Sequence, residues 1–428
     1  MGETPKLHPD TLAIHAGAAP DPTTKARVTP IYQTASYVFD DSDHAAALFN
    51  LEANGNIYTR LGNPTTGVLE ARVAALEGGP AALAVASGHA AQFIVFHTLM
   101  EPGRNIVASR KLYGGSINQL GQSFRKMGWS VTFIDSDDPA DFARAIDADT
   151  RAVFVESIAN PGGVITDIAA IAKVAHAAGV PLVVDNTLAT PYLVRPLEHG
   201  ADIVVHSLTK FLGGHGNSIG GIIVDGGTFD WKAGGKYPYL SEPNPSYHGK
   251  VFTDAFGPVA FVVACRALGL RDLGPALSPF NAFLILTGIE TLPLRMERHC
   301  RNALETAQWL SAHPKVAWVS YAGLPGDPYH ALAQRYAPLG AGGVFTFGLK
   351  GGYAAGVKLV GAVKLFSHLA NIGDTRSLII HPSSTTHRQL EPAAQAAAGA
   401  GPDVVRLSVG LEHVGDIIAD LEQALAQV

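Results

Sequence analysis

The chain has 428 residues, of which 47% are hydrophobic and only 16% charged, and its 31 basic and 37 acidic side chains give a net charge of −6. At about 100–200 residues per domain this length predicts two or three domains, and a charged share well below the usual ~25% predicts that much surface is covered by other subunits. The acidic balance, with no block of five or six like charges, excludes a nucleic-acid groove as the expected partner. Two cysteines, Cys265 and Cys300, with no C-x-x-C pair and no H-E-x-x-H among 17 histidines, exclude a disulfide framework and a zinc site, so a reducing, cytoplasmic setting without metal is expected. The start, Met1 to Lys6, lacks the apolar run of a signal peptide. The longest uncharged stretch, Gly78 to Met100, is interrupted by Ser87, His89, Gln92 and His97, so no membrane span is expected.

In chain order, the first sixty residues carry spaced prolines (Pro20, Pro22, Pro30) and little periodicity, and predict an extended arm. From Leu61 helical stretches alternate with Val/Ile-rich runs at Ala82–Ala86, Ile106–Ser109, Val131–Asp135, Ala152–Ser157, Leu182–Asp185, Ile203–His206 and Gly221–Val224. Continuous apolar runs between helices predict an α/β fold, a parallel sheet covered on both faces. Ligands bind such sheets beyond the carboxyl ends of the strands, where Ser87, Ser109, Glu156, Asp185 and Ser207 fall. A Gly-, Pro- and aromatic-rich stretch over 225–247 then precedes an apolar helix from Thr253 to Leu270. Beyond it a helix is expected at Leu292–Leu310, strands at Val316–Tyr321, Gly343–Leu349 and Val404–Val409, an Ala/Gly linker at Gln395–Gly401 and a closing helix at Val414–Ala426.

Three chemistries compete. Gly216-Asn217-Ser218-Ile219-Gly220 matches the G-x-S-x-G of a serine-hydrolase elbow, but a Gly-rich loop precedes Ser218 and a strand follows it, the reverse of the strand–turn–helix that an elbow needs. A dinucleotide site fails because no strand is followed by G-x-G-x-x-G. The third candidate is Ser207-Leu208-Thr209-Lys210, directly after a strand. Lysine forms Schiff bases when a low-dielectric site supplies its free amine. A lysine beside a glycine turn is commonplace by itself. What raises it is a second constellation that matches pyridoxal phosphate: an acid for the ring nitrogen, Asp185 at the end of the preceding strand, and backbone donors for a phosphate at Ser87-Gly88-His89 where a helix begins.

With these residues together, the chain resembles the Cys/Met-metabolism group of pyridoxal-phosphate enzymes over nearly its whole length, through Val184-Asp185-Asn186-Thr187 and Ser207-Leu208-Thr209-Lys210. The resemblance implies a type I fold: a mostly parallel central sheet with helices on both faces, plus a smaller C-terminal α+β domain. Its expected division is an arm over 1–60 contacting a neighbouring subunit, a cofactor-binding domain over 61–265 and a C-terminal domain over 266–428. It further implies that Asp185 partners the pyridine nitrogen, that Ser207 and Thr209 serve the phosphate, and that Lys210 holds the cofactor. Tyr113 stacks on the ring and acts as general acid/base, and Asn160 lies on the cofactor side. Tyr58 and Arg60 reach a neighbour's phosphate, Tyr58 also bordering substrate, and Arg406 binds the substrate carboxylate. The assembly implied is a homotetramer of two site-sharing dimers.

Within that family Asn371-Ile372-Gly373-Asp374, His381-Pro382-Ser383-Ser384-Thr385-Thr386-His387 and the insertion around Ser241–Gly249 resemble the long O-acetylhomoserine sulfhydrylases, which also places Asn371 at the substrate. The implied reaction joins O-acetyl-L-homoserine to sulfide or methanethiol. The alternatives are a γ-lyase, against which Gly115 counts because methionine γ-lyases typically carry a cysteine there, and an O-succinylhomoserine sulfhydrylase or cystathionine γ-synthase-like activity.

Overall fold

The computed structural model describes residues 7–386, 388–389, 391, 395 and 399–428. The expectations placed on Met1 to Lys6, on His387 and on residues 396–398 of the Ala/Gly linker lie outside the described residues.

The seven Val/Ile-rich runs become β1 (Ala81–Val85), β2 (Asn105–Ser109), β3 (Ser130–Ile134), β4 (Thr150–Glu156), β5 (Leu182–Asp185), β6 (Ile203–Ser207) and β7 (Gly221–Asp225), in the order β1-β7-β6-β5-β4-β2-β3. Alternate residues feed opposite faces. Val153, Val155, Val184 and Val204 join one apolar core, while Ala152, Phe154, Val183 and Val205 join another, which is why the runs are apolar throughout rather than alternating. The sheet departs from an all-parallel one at β7, antiparallel to both β1 and β6. Parallel pairing needs a crossover, usually a helix, and residues 208–220 hold none among the described elements. Because β7 reverses twice over, β1 runs the same way as β6, and the carboxyl ends of β1, β2, β4, β5 and β6 open on one side.

A second sheet collects β8 (Val316–Ser320), β9 (Val344–Leu349), β10 (Ser367–His368), β11 (Leu378–Ile380) and β12 (Val404–Ser408) in the order β10-β11-β12-β9-β8. Helices Leu292–Ala312, Gly352–Ala362 and Val414–Leu425 pack beside it. The stretch read as an extended arm is only partly extended. Pro9 at the first helical position, with His8 capping Asp10 N–H, starts a helix Pro9–His15 whose Ala13 is fully buried, and Asp41 caps a second, Ser42–Phe49.

Helix Phe252–Leu273 is, by length and composition alone, apolar enough to cross a membrane. Here it belongs to the core: Ala260, Phe261, Ala264 and Cys265 are fully buried and join the cluster on one face of the large sheet. A division at 265/266 passes through this helix. The aromatic stretch before it has a structural use, since Trp231 stacks on Phe261 with ring centroids 5.0 Å apart and Phe229 and Tyr237 close around Trp231. Replacing Phe261 with Ala should cost about 3–5 kcal/mol, read as a lower urea midpoint. An unchanged midpoint would mean that this helix does not carry the core.

Candidate active site

One cleft opens where the carboxyl ends of the large sheet face β12. It encloses about 790 Å3 counted to its open mouth. It brings together ten of the residues expected from sequence: Ser87, Gly88, His89, Tyr113, Asn160, Asp185, Ser207, Lys210, Asn371 and Arg406. Tyr58, Arg60 and Thr209 are outside it. Arg60 donates to Arg271 O and holds its guanidinium over Tyr58, while the Thr209 hydroxyl is engaged with the backbone of Gly220.

The strand-end acids form the floor. Asp185 ends β5, and both its oxygens accept: Oδ1 from Thr187 N–H at 3.0 Å, Oδ2 from Gln92 Nε2 at 3.2 Å. Glu156, its register partner at the end of β4, accepts from Tyr113 N–H at 2.6 Å and Asn160 N–H at 2.9 Å. Burial, reinforced by the neighbouring Asp185 carboxylate, pushes the Glu156 carboxyl well above its usual range. One acid therefore ties together two cleft walls, the ring of Tyr113 and the amide of Asn160.

At the head of helix Gly88–Leu99, Ser87 caps Ala90 N–H at 3.1 Å. The N–H groups of Gly88 and His89 precede the first helical bond, Ala91 N–H to Ser87 O, and so point outward as an anion cradle. A Cβ at Gly88 would come 2.8 Å from Ser207 Cβ, and one at Gly221 would come 2.0 Å from Ser87 O. Only glycine lets helix and strands meet here.

Lys210 donates from Nζ to Asn371 Oδ1 at 2.6 Å. Burial, and after it repulsion from Arg406, pulls its pKa down to about 8. Arg406 on β12 donates to Asn160 Oδ1 at 3.0 Å and Asn371 O at 3.2 Å. Burial lowers it to about 10, and among the described residues no carboxylate pairs with it. The cleft therefore presents an amine of lowered pKa and an unanswered guanidinium opposite a buried acid floor.

Gln92 and Thr187 line the cleft without having been given a role from sequence, Thr187 having figured only as the last residue of the Val184–Thr187 motif. Gln92 lies one turn into a helix, and only its spacing from Gly88 could have indicated that it faces Asp185. Glu156 was placed at a strand end but given no role. The elbow reading of Ser218 is overturned. Its hydroxyl donates to Asn281 O at 3.5 Å, no imidazole hydrogen-bonds it among the described residues, and the strand follows the serine at Gly221.

The donor set fits pyridoxal phosphate: an acid with both oxygens oriented, outward N–H groups at a helix start that glycine brings against the strand ends, and a lysine whose lowered pKa eases formation of the free amine. Fold and cleft together define a pyridoxal-phosphate enzyme. The chain belongs to the Cys/Met metabolism PLP-dependent enzymes, whose family model matches residues 10–426. It is 56% identical to the O-acetyl-L-homoserine sulfhydrylase of Leptospira meyeri, over 98% of this chain and 97% of that one. It is 52% identical to the homocysteine synthase of Schizosaccharomyces pombe, over 98% of both chains. Among solved structures it superposes with a TM-score of 0.95 on a putative O-acetylhomoserine (thiol)-lyase of Campylobacter jejuni that carries N'-pyridoxyl-lysine-5'-monophosphate, at 39% identity and with 98% and 100% of the two chains covered.

In cofactor-free protein, modification of Lys210 by an amine-selective reagent should rise with pH about a midpoint near 8. An ordinary lysine titrates near ~10.4. A midpoint at the ordinary value would show that the cleft does not desolvate the amine.

Proposed function

We propose that this enzyme catalyses γ-replacement: O-acetyl-L-homoserine and hydrogen sulfide give L-homocysteine and acetic acid. The observation that carries the reading is the cleft itself, in which an unpaired guanidinium at Arg406 and an amine of lowered pKa at Lys210 meet above Asp185, in a chain 52–56% identical to proteins named for this chemistry. Pyridoxal phosphate, when bound, supplies the electron sink that makes the substrate's Cα and Cβ protons acidic.

The residues divide the work. Arg406, levelled by Asn160 Oδ1 and Asn371 O, receives the substrate carboxylate in a two-point contact. Lys210 would hold the cofactor and, as a free amine, would take the substrate's Cα proton at Nζ, with Asn371 Oδ1 fixing that atom's direction. Asp185 would keep the ring nitrogen of the bound cofactor protonated. Gln92 and Thr187 hold that carboxylate in place. Tyr113 forms the outer wall, 48% exposed and with its ring centroid 5.8 Å from that of His89, where it carries protons as the Cγ–O bond to acetate breaks and the Cγ–S bond to sulfide forms.

Tyr58 and Arg60, which lie outside their own chain's cleft, complete that of a second copy within a site-sharing dimer, two of which form a tetramer. Exposed apolar side chains of the same stretch, Val38 (96%) and Phe49 (55%), support that covering. The setting is cytoplasmic, and Thr209 serves the phosphate once the cofactor is in place.

A second reading, elimination to 2-oxobutyrate and ammonia, meets an obstacle at Gly115. A Cβ there would lie 2.4 Å from Tyr113 Cε1 and 2.8 Å from His89 Cε1, so the cysteine common in lyases would displace both rings. The test is product identification with O-acetyl-L-homoserine and sulfide: homocysteine with equimolar acetate is expected, and mainly 2-oxobutyrate would refute the assignment. Replacing Arg406 with Ala should raise the KM for the amino-acid substrate by about 10²-fold, the size of a lost charge-assisted contact of ~2–3 kcal/mol. An unchanged KM would remove it from substrate binding.

A further inference from the structure

Arg295, on helix Leu292–Ala312, is a cation placed where cations are costly. It is 5% exposed, and among the described residues no carboxylate lies within ion-pair distance of it. Its donors go instead to neutral acceptors: Nη1 to Phe211 O at 2.7 Å, Nη2 to Leu212 O at 3.2 Å and to Gly288 O at 2.7 Å, and Nε to Thr291 Oγ1 at 3.2 Å. A buried charge with no counter-ion is costly, and here four hydrogen bonds to neutral acceptors offset that cost.

What it holds is the turn that follows Lys210. That turn bonds Lys210 N–H to Ser207 O, Gly213 N–H to Leu208 O and Gly214 N–H to Lys210 O, and no backbone N–H among the described residues reaches Phe211 O or Leu212 O. The guanidinium supplies both missing donors. The surroundings are shaped for it: Gly214 has a positive φ of 73°, and a Cβ there would sit 2.2 Å from Arg295 Nη1. On the other side a Cβ at Gly373 would come 2.6 Å from Phe211 N, so the turn is pressed between the arginine and the segment that carries Asn371.

We infer that Arg295 is a positioning residue for Lys210, clamping the turn after the lysine to helices Pro279–Ile289 and Leu292–Ala312 so that the amine is presented to Asn371 at a fixed height in the cleft. The inference rests on Lys210 being the cofactor lysine. Around that amine stand Asn371 and Arg406, with Asp185, Glu156, His89 and Tyr113 the other titratable groups of the cleft, and changing Arg295 alters none of them directly.

Two variants, Arg295→Lys and Arg295→Met, test it in the full-length protein, with folding followed by circular dichroism. In cofactor-free protein the pH midpoint of Lys210 modification, located by mass spectrometry, should move up towards that of an ordinary lysine as the turn loosens and water enters. In loaded enzyme kcat should fall about 10- to 100-fold, as misplacement of a reacting group by ~1 Å does, with the KM for O-acetyl-L-homoserine within about threefold. A purely structural arginine would lower the melting temperature and leave the Lys210 midpoint where it was. A folded variant with the native midpoint therefore overturns the proposal. If neither variant folds, Thr291→Val removes the Nε acceptor together with the hydroxyl's own bond to Gly288 O at 3.2 Å, leaves the three Nη bonds in place, and must shift the midpoint in the same direction by less, and no shift overturns the proposal as well. The modification profile does not depend on substrate, so a shifted midpoint in an enzyme that makes no homocysteine would refute the reaction and leave the clamp standing.

Discussion

Lys210 and Arg406 face one partly buried cleft, and among the described residues no carboxylate pairs with either. Lys210 and Arg406 repel one another, and burial penalises both. A folded chain bears that arrangement only if ligands relieve it or if surrounding bonds hold it in place. Both apply here. Neutral amide oxygens at Asn160 and Asn371 hold the two side chains apart without neutralising them, so the charge remains available for a carboxylate. The acids are kept below, where Asp185 is satisfied by Gln92 and Thr187, and its own charge helps to raise the neighbouring Glu156. The site is thus polarised before anything binds, with a cationic wall and an acidic floor.

This polarity depends on backbone approaches that side chains would forbid. The helix beginning at Gly88 reaches the end of β6, β7 begins against Ser87 O, and the segment at Gly373 lies on the Lys210 turn, each within 3 Å of where a Cβ would stand. At these points the cofactor cradle, the lysine and the segment bearing Asn371 are held to one another by contact between main chains, which have few ways to yield. Gly288 shows the same logic at a distance from the chemistry. Its absent Cβ leaves 2.0 Å to Gly213 O, and this lets helix Pro279–Ile289 lie against the turn that Arg295 grips.

Much of this was legible in the amino-acid sequence, for a physical reason. Strands buried on both faces read as unbroken Val/Ile runs, so all seven strands of the large sheet stand within two residues of their predicted ends, and Asp185, Ser207 and Lys210 could be placed by counting from them. The reversal of β7 was not legible, because apolar runs carry no direction. Strands β10 and β11, two and three residues long, are too short for periodicity to show. Gln92 and Arg295 escaped notice because each is a polar residue in a helix, and which face a helix turns inward depends on partners more than eighty residues away. Asp185 accepts from a residue 93 positions earlier, and Arg295 donates to one 84 positions earlier.

The exposure of Tyr113 gives the proposed second copy its chemical purpose. γ-Replacement succeeds only if sulfide reaches the activated Cγ before a proton returns to the carbon chain and turns the path towards elimination. A wall residue that is half open to water in the isolated chain leaves that competition undecided, because solvent supplies protons freely and weakens every charge–charge contact in the cleft. Covering the mouth with the segment that carries Tyr58 and Arg60 would exclude water and, through Arg60, add a further positive charge near the phosphate cradle. On this view Gly115 and the arm act on the same step from opposite sides. Gly115 lets the Tyr113 and His89 rings settle without obstruction, and the arm keeps solvent from the space they border.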